Sequence, residues 1–243
     1  MNTLETKNLT KHFGGVYAVN DLSMGFEQGA ITGIIGPNGS GKSTLTNLLS
    51  GIFFFDKGMM LIDGIALKKI SSHEIKGFGL TRTFQEVRLF EQMTVLDNLL
   101  VTLTSRHVFA SLFKTHTDLH LKQTREILEK VGLLEKQRQL ARNLSYGQRK
   151  LLEIGRVLAM DAKIILLDEP FAGLFSEMTK VIVDILLELK QQGKTLVLIE
   201  HNMELIRKLC DHLYVMDEGK LLAEGKPEKV LAERKVIEAY LGE

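Results

Sequence analysis

Apolar residues in the first thirty positions form short stretches that are separated by turn residues. The stretches LETKNLTKHFGG and YAVNDLSMGFEQG predict antiparallel strands of a hairpin-rich sheet. The next apolar run, AITGII, predicts a buried strand that ends where Gly36 begins a glycine-rich loop. Residues Lys42 to Leu49 then have the pattern of a helix, so a strand, a loop and a helix follow one another directly.

A helical pattern fills the segment from roughly Met93 to Arg142, which contains no convincing strand. We therefore predict an inserted α-helical subdomain at approximately residues 93–150. Its apolar positions recur at helical spacing, as at Leu121, Ile127, Leu128, Val131 and Leu134.

Strands and helices alternate in the rest of the chain. The apolar runs KIILLDEP and KTLVLIEH predict buried strands, with helices after Ser145 and near Glu177 to Gln191, and HLYVMDEGKLLAEG predicts a hairpin. Such alternation is typical of a parallel sheet with helices on both faces. We predict an α/β fold with an N-terminal antiparallel β subdomain, and one domain over residues 1–243, because no linker or repeat interrupts the chain.

Composition narrows the class of protein. The 243 residues are 44% apolar, enough for a buried core, and 31 basic against 30 acidic residues give no basic field for nucleic acid. No apolar run reaches the roughly 18 to 20 residues that span a bilayer, and the first ten residues do not resemble a signal peptide. A single cysteine, Cys210, excludes an internal disulfide and fits a reducing compartment, so we expect a cytosolic protein.

The stretch GPNGSGKST fits the pattern G-x-x-x-x-G-K-[ST]. Its glycines let backbone NH groups curl around phosphates, and the helix N-terminus adds the positive end of its dipole. Lys42 is expected to pair with the β- and γ-phosphates and Ser43 to ligate magnesium. A glycine-rich turn without chemistry is the alternative, which the position between strand and helix disfavours. The candidate binding residues are Gly36, Pro37, Asn38, Gly39, Ser40, Gly41, Lys42, Ser43 and Thr44.

Two adjacent carboxylates end the strand KIILLDEP, where ligand sites of open α/β sheets occur. We expect Asp168 to hold magnesium, directly or through water, and Glu169 to orient the water that attacks the γ-phosphate. An acidic turn without chemistry would be the commoner case for a strand end of this kind by itself. The phosphate loop earlier in the chain favours the catalytic interpretation.

Two further polar residues are open to more than one interpretation. His201 ends the predicted strand TLVLIEH and is either a packed or solvated strand end or a contact to the γ-phosphate at the edge that carries Asp168. Gln85, in LTRTFQEVRLF, is either a polar strand end or a contact to magnesium and the attacking water.

The segment NLSYGQRKLLEIGR contains a second polar helix start. Ser145 and Gln148 fit a capping box, and an apolar stripe follows in the helix. By itself this explains the segment. The segment follows GPNGSGKST and TFQ and precedes IILLDEP and IEH. In this order the five motifs together resemble the ATP-binding subunits of ABC transporters, whose signature sequence usually reads LSGGQ.

The resemblance covers essentially the whole chain and implies a P-loop NTPase core that binds ATP and Mg²⁺ and hydrolyses ATP. In that family two ATPase domains close head to tail, so that Ser145, Gly147 and Gln148 would contact the γ-phosphate held by the other subunit. Phe13 would stack on adenine, with Tyr17 as a weaker candidate, and packing within the sheet is the alternative for either residue. Residues 173–175 would form a loop at the dimer interface. Tyr146 departs from the usual glycine, and Phe175 from the usual polar residue.

Continuous stretches, among them GLTRTFQEVRLFEQMTVLDNLLV and VIEAYLGE, resemble the branched-chain amino-acid importer group, which includes urea and amide systems. This implies a second ABC ATPase subunit, identical or different, integral membrane permease subunits, and indirectly an extracytoplasmic substrate-binding protein. The location would be the cytoplasmic face of the inner membrane. A candidate permease socket contains Val87, Leu89, Phe90 and Met93, and core packing of the helical subdomain is the alternative for some of these residues.

Other classes of protein are less consistent with the chain. Soluble ABC ATPases of DNA repair or translation generally carry two cassettes, zinc inserts or basic arms, whereas this sequence has one cassette, one cysteine and balanced charge. A regulatory module without turnover is disfavoured by Glu169, His201 and Gln85. A GTPase is disfavoured because the sequence has no N-K-x-D motif.

Overall fold

The computed structural model describes residues 1–83, 87–103 and 118–241. They form two compact units. The sheet unit contains the described residues of Met1–Arg82, Lys163–Glu169 and Leu187–Glu243, and the helical unit contains those of Thr83–Ala162 and Pro170–Leu186. The predicted 93–150 insertion lies within the range of the helical unit, which extends beyond it on both sides. The organisation of the chain as one domain stays a prediction.

The strands follow one another along the chain as β1 (Asn2–Phe13), β2 (Val16–Glu27), β3 (Ile31–Ile35), β4 (Lys57–Ile62), β5 (Ile65–Leu67), β6 (Leu80–Arg82), β7 (Ile164–Asp168), β8 (Thr195–Ile199), β9 (His212–Asp217) and β10 (Lys220–Gly225). The helices are α1 (Lys42–Leu49), α2 (Val95–Leu103), α3 (Asp118–Lys130), α4 (Tyr146–Met160), α5 (Ser176–Gln191), α6 (Met203–Leu209), α7 (Pro227–Val230) and α8 (Arg234–Leu241). Single 3₁₀ turns occur at Ile75–Phe78, Leu134–Lys136 and Ala141–Asn143.

The N-terminal strands build an antiparallel sheet in the order β2-β1-β4-β5. The β1–β2 hairpin confirms the antiparallel arrangement predicted for the first thirty residues. Strands β4 and β5 were not predicted. Strand β4 extends this sheet by pairing with β1, more than forty positions earlier in the chain, and β5 pairs with β4.

The second sheet has six strands in the order β10-β9-β3-β8-β7-β6. All neighbours from β9 to β6 are parallel, and β10 pairs with β9 as an antiparallel hairpin. Every residue of β3, β7 and β8 is buried, which explains their continuous apolar sequence, because both faces of a parallel sheet are covered. The ends of these three strands at Ile35, Asp168 and Ile199 therefore lie at one edge of the sheet.

A buried tyrosine connects the two sheets of the sheet unit. The Tyr214 hydroxyl on β9 accepts a hydrogen bond from the backbone NH of Gly25 at 2.9 Å and donates one to its carbonyl at 3.0 Å. The Tyr214 ring also packs edge-on against Phe26, with ring centroids 5.9 Å apart. Burial raises the pKa of Tyr214, so that the neutral, donating form is favoured.

In the helical unit, α4 packs against α2 and α3. Gly155 of α4 lies at this contact, where a Cβ would be in ordinary van der Waals contact with Ile127 and Leu99, 3.4 Å from each side chain. The helices bury an apolar layer that includes Leu99, Leu128, Val131 and Leu152. In the parts of the chain that the structure describes, no helix combines the length and apolar content needed to cross a membrane.

Candidate functional site

The phosphate loop, Gly36–Thr44, connects the end of β3 to α1 and can be built only with glycine at two positions. Gly36 has φ 154° and Gly41 has φ 100°. A Cβ at Gly36 would lie 2.1 Å from the carbonyl oxygen of Met216, and a Cβ at Gly41 would lie 2.1 Å from that of Ala18. The loop is therefore pressed against the neighbouring backbone, and any side chain at either position would force the loop to move.

Lys42 is the first residue of α1, and its side chain folds back over the loop. Its Nζ donates hydrogen bonds to the carbonyl oxygens of Gly36 at 2.6 Å and Pro37 at 2.8 Å, and lies 3.4 Å from the Ser40 hydroxyl. Gly41, the N-cap, has no side chain with which to cap the NH groups of the first turn. Those NH groups and the Lys42 ammonium together suit a bound anion.

Ser43 and Asp168 are the described candidates for holding magnesium. Ser43 is exposed in the first turn of α1, and Asp168 is buried at the last position of β7. Both supply the oxygen atoms that Mg²⁺ prefers, and Mg²⁺ commonly takes few protein ligands beside water and phosphate. Among the described residues no group of three or more His, Cys, Asp or Glu is arranged to hold a metal ion. The donor set therefore fits a magnesium ion that arrives with a nucleotide.

Glu169 and His201 contact each other at the same edge of the sheet. The His201 Nε2 lies 3.0 Å from the Glu169 Oε1, and the backbone NH of Glu169 donates to the carbonyl oxygen of Ile199 at 3.0 Å. Glu169 has φ 48°, a left-handed conformation that costs a non-glycine residue about 1 kcal/mol or more. Strain of this kind is common at functional sites. It turns the chain immediately after Asp168.

Phe13 ends β1 with its side chain half exposed, at 47%. Its ring packs edge-on against Phe53 with a centroid distance of 5.5 Å, and the Lys11 Nζ lies 5.3 Å from its centroid. These contacts orient the ring and leave surface for a stacking partner. Tyr17, the weaker candidate, is also exposed, and its ring lies 5.8 Å from that of His12.

The signature segment, residues 144–148, begins α4 in the helical unit. The Ser145 hydroxyl accepts a hydrogen bond from the backbone NH of Gln148 at 3.4 Å, and the Gln148 side chain accepts one from the backbone NH of Ser145 at 3.1 Å. This confirms the predicted capping box. A Cβ at Gly147 would lie 2.4 Å from the Met178 sulfur, and one at Gly173 would lie 3.0 Å from the Tyr146 ring. Glycine thus allows Met178 to pack against position 147 and the Tyr146 ring to pack against position 173.

The structure places the predicted residues in both units. The sheet unit brings the phosphate loop, Asp168, Glu169 and His201 to one sheet edge, and it also contains Phe13. The helical unit contains Ser145, Gly147 and Gln148. Gln85 lies outside the described residues.

One residue of the site was missed from the sequence. Arg82, the last residue of β6, donates to the Asp168 carboxylate at 3.1 Å. An arginine in the short apolar segment that precedes TFQ was the only signal, and nothing in the sequence places it beside Asp168.

Residues 19–172 match the sequence model of the family described as ABC transporter. The chain belongs to this family. A second model, described as branched-chain amino acid ATP-binding cassette transporter, matches residues 220–243. The chain is similar to a probable branched-chain amino acid transport ATP-binding protein of Archaeoglobus fulgidus, with 39% identity over 100% of this chain and 96% of the relative.

Solved structures of ABC cassettes share the fold. An ATP-binding cassette of an ABC transporter in its ADP conformation has TM-score 0.88 and 37% identity, and each chain covers 100% of the other. A dimeric cassette in a post-hydrolysis state, bound to ADP and Pi, has TM-score 0.81 and 27% identity over 92% of this chain and 98% of that one. The predicted P-loop NTPase fold and ABC ATPase class are thereby confirmed. The alternatives of a repair or translation ATPase and of a regulatory module find no support.

Proposed function

We propose that this ABC ATPase supplies the energy for import of branched-chain amino acids or of a related small amide or urea. The observation that carries the hydrolytic part is the Glu169–His201 contact at the sheet edge that also holds the phosphate loop and Asp168. The cargo class is supported by the match at residues 220–243 and by the name of the archaeal relative. The cargo itself would contact the membrane and binding subunits.

Nucleotide binding would use groups that already point into the phosphate loop. Backbone NH groups of the loop and the start of α1 would bind the phosphates, and the Lys42 ammonium would exchange carbonyl partners for β- and γ-phosphate oxygens. Ser43, Asp168 and Gln85 would hold Mg²⁺, which neutralises phosphate charge when bound. Phe13 would stack on the adenine ring.

Hydrolysis would use the carboxylate at the end of β7. Glu169 would orient a water molecule and accept its proton on a carboxylate oxygen while the water oxygen attacks the γ-phosphorus and the bond to the ADP oxygen breaks. His201 would hold the Glu169 carboxylate through its Nε2 and contact the γ-phosphate. Contacts to Ile199 at the backbone and to His201 at the side chain would hold Glu169 in position for this step.

A second ATPase subunit, identical or different, would complete the site. Ser145, Gly147 and Gln148 would face the γ-phosphate bound by that subunit, and the loop at Gly173–Phe175 would lie at the interface. The dimeric cassette of 27% identity supports this arrangement. Phe175 is exposed, and Tyr146 is 52% exposed.

Attachment to the membrane would go through permease subunits at the cytoplasmic face of the inner membrane, with an extracytoplasmic binding protein as an indirect partner and no nucleic acid. Phe90 and Met93 of the candidate socket are exposed. The Arg156 guanidinium stacks on the Phe90 ring at 5.3 Å from its centroid and also donates to the Arg88 carbonyl. Burial lowers the pKa of Arg156 from its usual value. This fixed aromatic surface suits an apolar helix of a permease.

Substitution of Glu169 by Gln tests the hydrolytic assignment. We expect ATPase turnover to fall by about 10² to 10⁴-fold, because the amide cannot accept the proton, while ATP affinity stays unchanged. Glu126→Gln, at an exposed position of α3, is the matched control. Turnover that survives in the Glu169 variant would refute the assignment. Lys42→Ala should instead weaken ATP binding itself.

Transport assays test the cargo. The ATPase reconstituted with its permease and binding protein in vesicles should accumulate leucine, urea or a short amide in an ATP-dependent manner. Accumulation should stop in the Glu169→Gln complex. Absence of uptake for all three substrates, with ATPase activity intact, would reject the proposed cargo class and leave the ATPase assignment standing.

A further inference from the structure

Arg82 and Asp168 form an ion pair that is almost completely shielded from solvent. The Arg82 side chain is 9% exposed and that of Asp168 is 8% exposed, and the distance from Nη2 to Oδ2 is 3.1 Å. Strands β6 and β7 are parallel neighbours, with Arg82 opposite Leu166, so the pairing of the strands brings the guanidinium to the end of β7. A buried ion pair depends on its geometry, since loss of one partner leaves an uncompensated charge.

The same guanidinium also binds α1. Its Nη1 donates to the Asn47 side-chain oxygen at 2.7 Å and to the Ser50 hydroxyl at 2.9 Å. Ser50 is buried and is itself anchored, because its hydroxyl donates to the Thr46 carbonyl at 2.7 Å. Arg82 therefore links the second half of α1 to the carboxylate at the end of β7.

The helical spacing gives this link a chemical meaning. Asn47 follows Ser43 by four positions, so both lie on one face of α1, one turn apart. Arg82 thus connects the face of α1 that carries Ser43, one proposed magnesium ligand, to the carboxylate of Asp168, the other proposed ligand. A planar fork with several donors is suited to hold two such elements at a fixed distance, which a single ammonium cannot do.

We propose that Arg82 is a positioning residue for magnesium, which fixes the Asp168 carboxylate relative to the Ser43 face of α1. This inference rests on the proposed function. Charge alone would act in the opposite direction, since a guanidinium beside the carboxylate repels a cation. The two roles therefore predict opposite changes in Mg²⁺ binding. If Arg82 positions Asp168, Arg82→Lys, which keeps the charge and loses the planar fork, should weaken Mg²⁺ binding. If the charge dominates, Arg82→Gln, which deletes the charge, should strengthen it.

The test uses the full chain and measures binding of adenylyl imidodiphosphate, an ATP analogue that is not hydrolysed. Affinity is measured first in EDTA and then as a function of Mg²⁺ concentration. We expect Arg82→Lys to raise the Mg²⁺ concentration for half-maximal enhancement of analogue binding by about tenfold, as for other partners of metal ligands. Affinity in EDTA should change by less than about twofold, because the phosphate loop is intact.

Four further variants separate the possible outcomes, and one of them, Arg82→Gln, deletes the charge of the guanidinium. Asn47→Ala keeps the ion pair and removes one anchor, so it should shift the Mg²⁺ midpoint in the same direction by about threefold. If circular dichroism shows that Arg82→Lys does not fold, Asn47→Ala becomes the deciding test of the positioning role. Arg207→Lys, an exposed arginine on α6, is the matched control and should not shift the midpoint. Asp168→Asn is the reference for loss of the ligand.

The outcomes distinguish this inference from the function on which it rests. If Asp168→Asn leaves the Mg²⁺ midpoint unchanged, the proposed magnesium site and the role of Arg82 are both wrong. If Asp168→Asn shifts the midpoint while Arg82→Lys and Asn47→Ala do not, only the positioning role is wrong. Tighter Mg²⁺ binding in Arg82→Gln and unchanged binding in Arg82→Lys would show a charge effect instead.

Discussion

The two helix starts that the sequence marks as anion sites, at α1 in the sheet unit and at α4 in the helical unit, are built in opposite ways. Helix α1 begins at Gly41, in a left-handed conformation and without a capping side chain. Helix α4 begins at Ser145, in an extended conformation, and its Ser145–Gln148 capping box satisfies two backbone NH groups. The start of α1 has no side-chain cap, whereas the start of α4 is capped by its own side chains.

This difference indicates how the two starts would share a nucleotide. We expect the phosphate loop to bind an anion through its backbone NH groups and through Lys42, whose ammonium donates to the carbonyl oxygens of Gly36 and Pro37. The signature segment is capped by its own side chains and offers a preformed surface. We therefore expect the first to dominate affinity within one chain, and the second to act when a further subunit approaches.

Gly41→Ala should have the largest effect. The new Cβ would combine positive φ with a 2.1 Å approach to the Ala18 carbonyl oxygen, so we expect loss of measurable ADP binding and destabilisation by about 3 kcal/mol. Calorimetry and urea unfolding measure the two effects. Gly39→Ala is the control, because Gly39 also has positive φ, at 78°, but no atom lies within 4 Å of its Cβ position. Equal losses of ADP binding and of stability in both variants would show that the positive φ, and not the approach to the Ala18 carbonyl oxygen, causes the effect.

Local and continuous features of the structure could be predicted from the sequence. Strands β3, β7 and β8 are buried along their whole length, so their apolar runs identify them directly. The capping box involves residues only three positions apart, and it was predicted from Ser145 and Gln148 alone. Residues that follow strand ends could likewise be assigned to one sheet edge, since parallel strands place them there.

Features that depend on distant pairing could not be predicted. The pairing of β4 with β1 and the sheet order next to β7 follow from tertiary packing. The Arg82–Asp168 contact joins residues 86 positions apart, so the sequence gives no sign of it. The left-handed conformation of Glu169 is also a consequence of the surrounding structure, because a glutamate does not favour it. Each of these features is decided by long-range contacts.

Gly147→Ala should have an intermediate effect, since the obstacle is a flexible side chain. A Cβ would lie 2.4 Å from the Met178 sulfur and 3.3 Å from Leu174, so we expect a loss of about 1–3 kcal/mol in the free energy of unfolding. Met178→Ala in the same chain should recover much of it, as a double-mutant cycle would measure. No such recovery is possible for Gly41, whose obstacle is backbone. Failure of the second substitution to restore stability would contradict this distinction.

Ser145→Ala should have a smaller effect. Loss of the cap removes one acceptor from the first turn of α4 and should lower the free energy of unfolding by about 1 kcal/mol. Asn202, whose side chain caps α6 by accepting from the NH groups of Glu204 and Leu205, provides a comparison in the sheet unit. Asn202→Ala should cost a similar amount. ADP affinity of the isolated Ser145→Ala chain should be unchanged, and a tenfold loss would mean that the signature segment binds nucleotide within its own chain.

The smallest effect is expected for chemical modification of Cys210. This residue lies beside β3, the strand that leads to the phosphate loop, and its reactivity measures opening of the sheet unit. Its sulfur lies 3.0 Å from the position of a Cβ at Gly33 on β3, and burial raises the pKa of the Cys210 thiol to about 12. At pH 8 the native thiol should react with iodoacetamide only through opening of the fold, which mass spectrometry can follow. Because an unfolded thiol ionises near its ordinary pKa of about 8.5, this group should destabilise the fold as the pH rises from there toward 12.

Nucleotide makes the Cys210 reaction a direct test of the two helix starts. ADP with Mg²⁺ should slow the modification at pH 8, because a ligand that binds the native state lowers the population of opened molecules. The slowing should persist in Ser145→Ala and disappear in Gly41→Ala. If Ser145→Ala abolished it, the signature segment would hold the nucleotide in the same chain, and the contrast between a ligand-dependent and a self-capped helix start would fail.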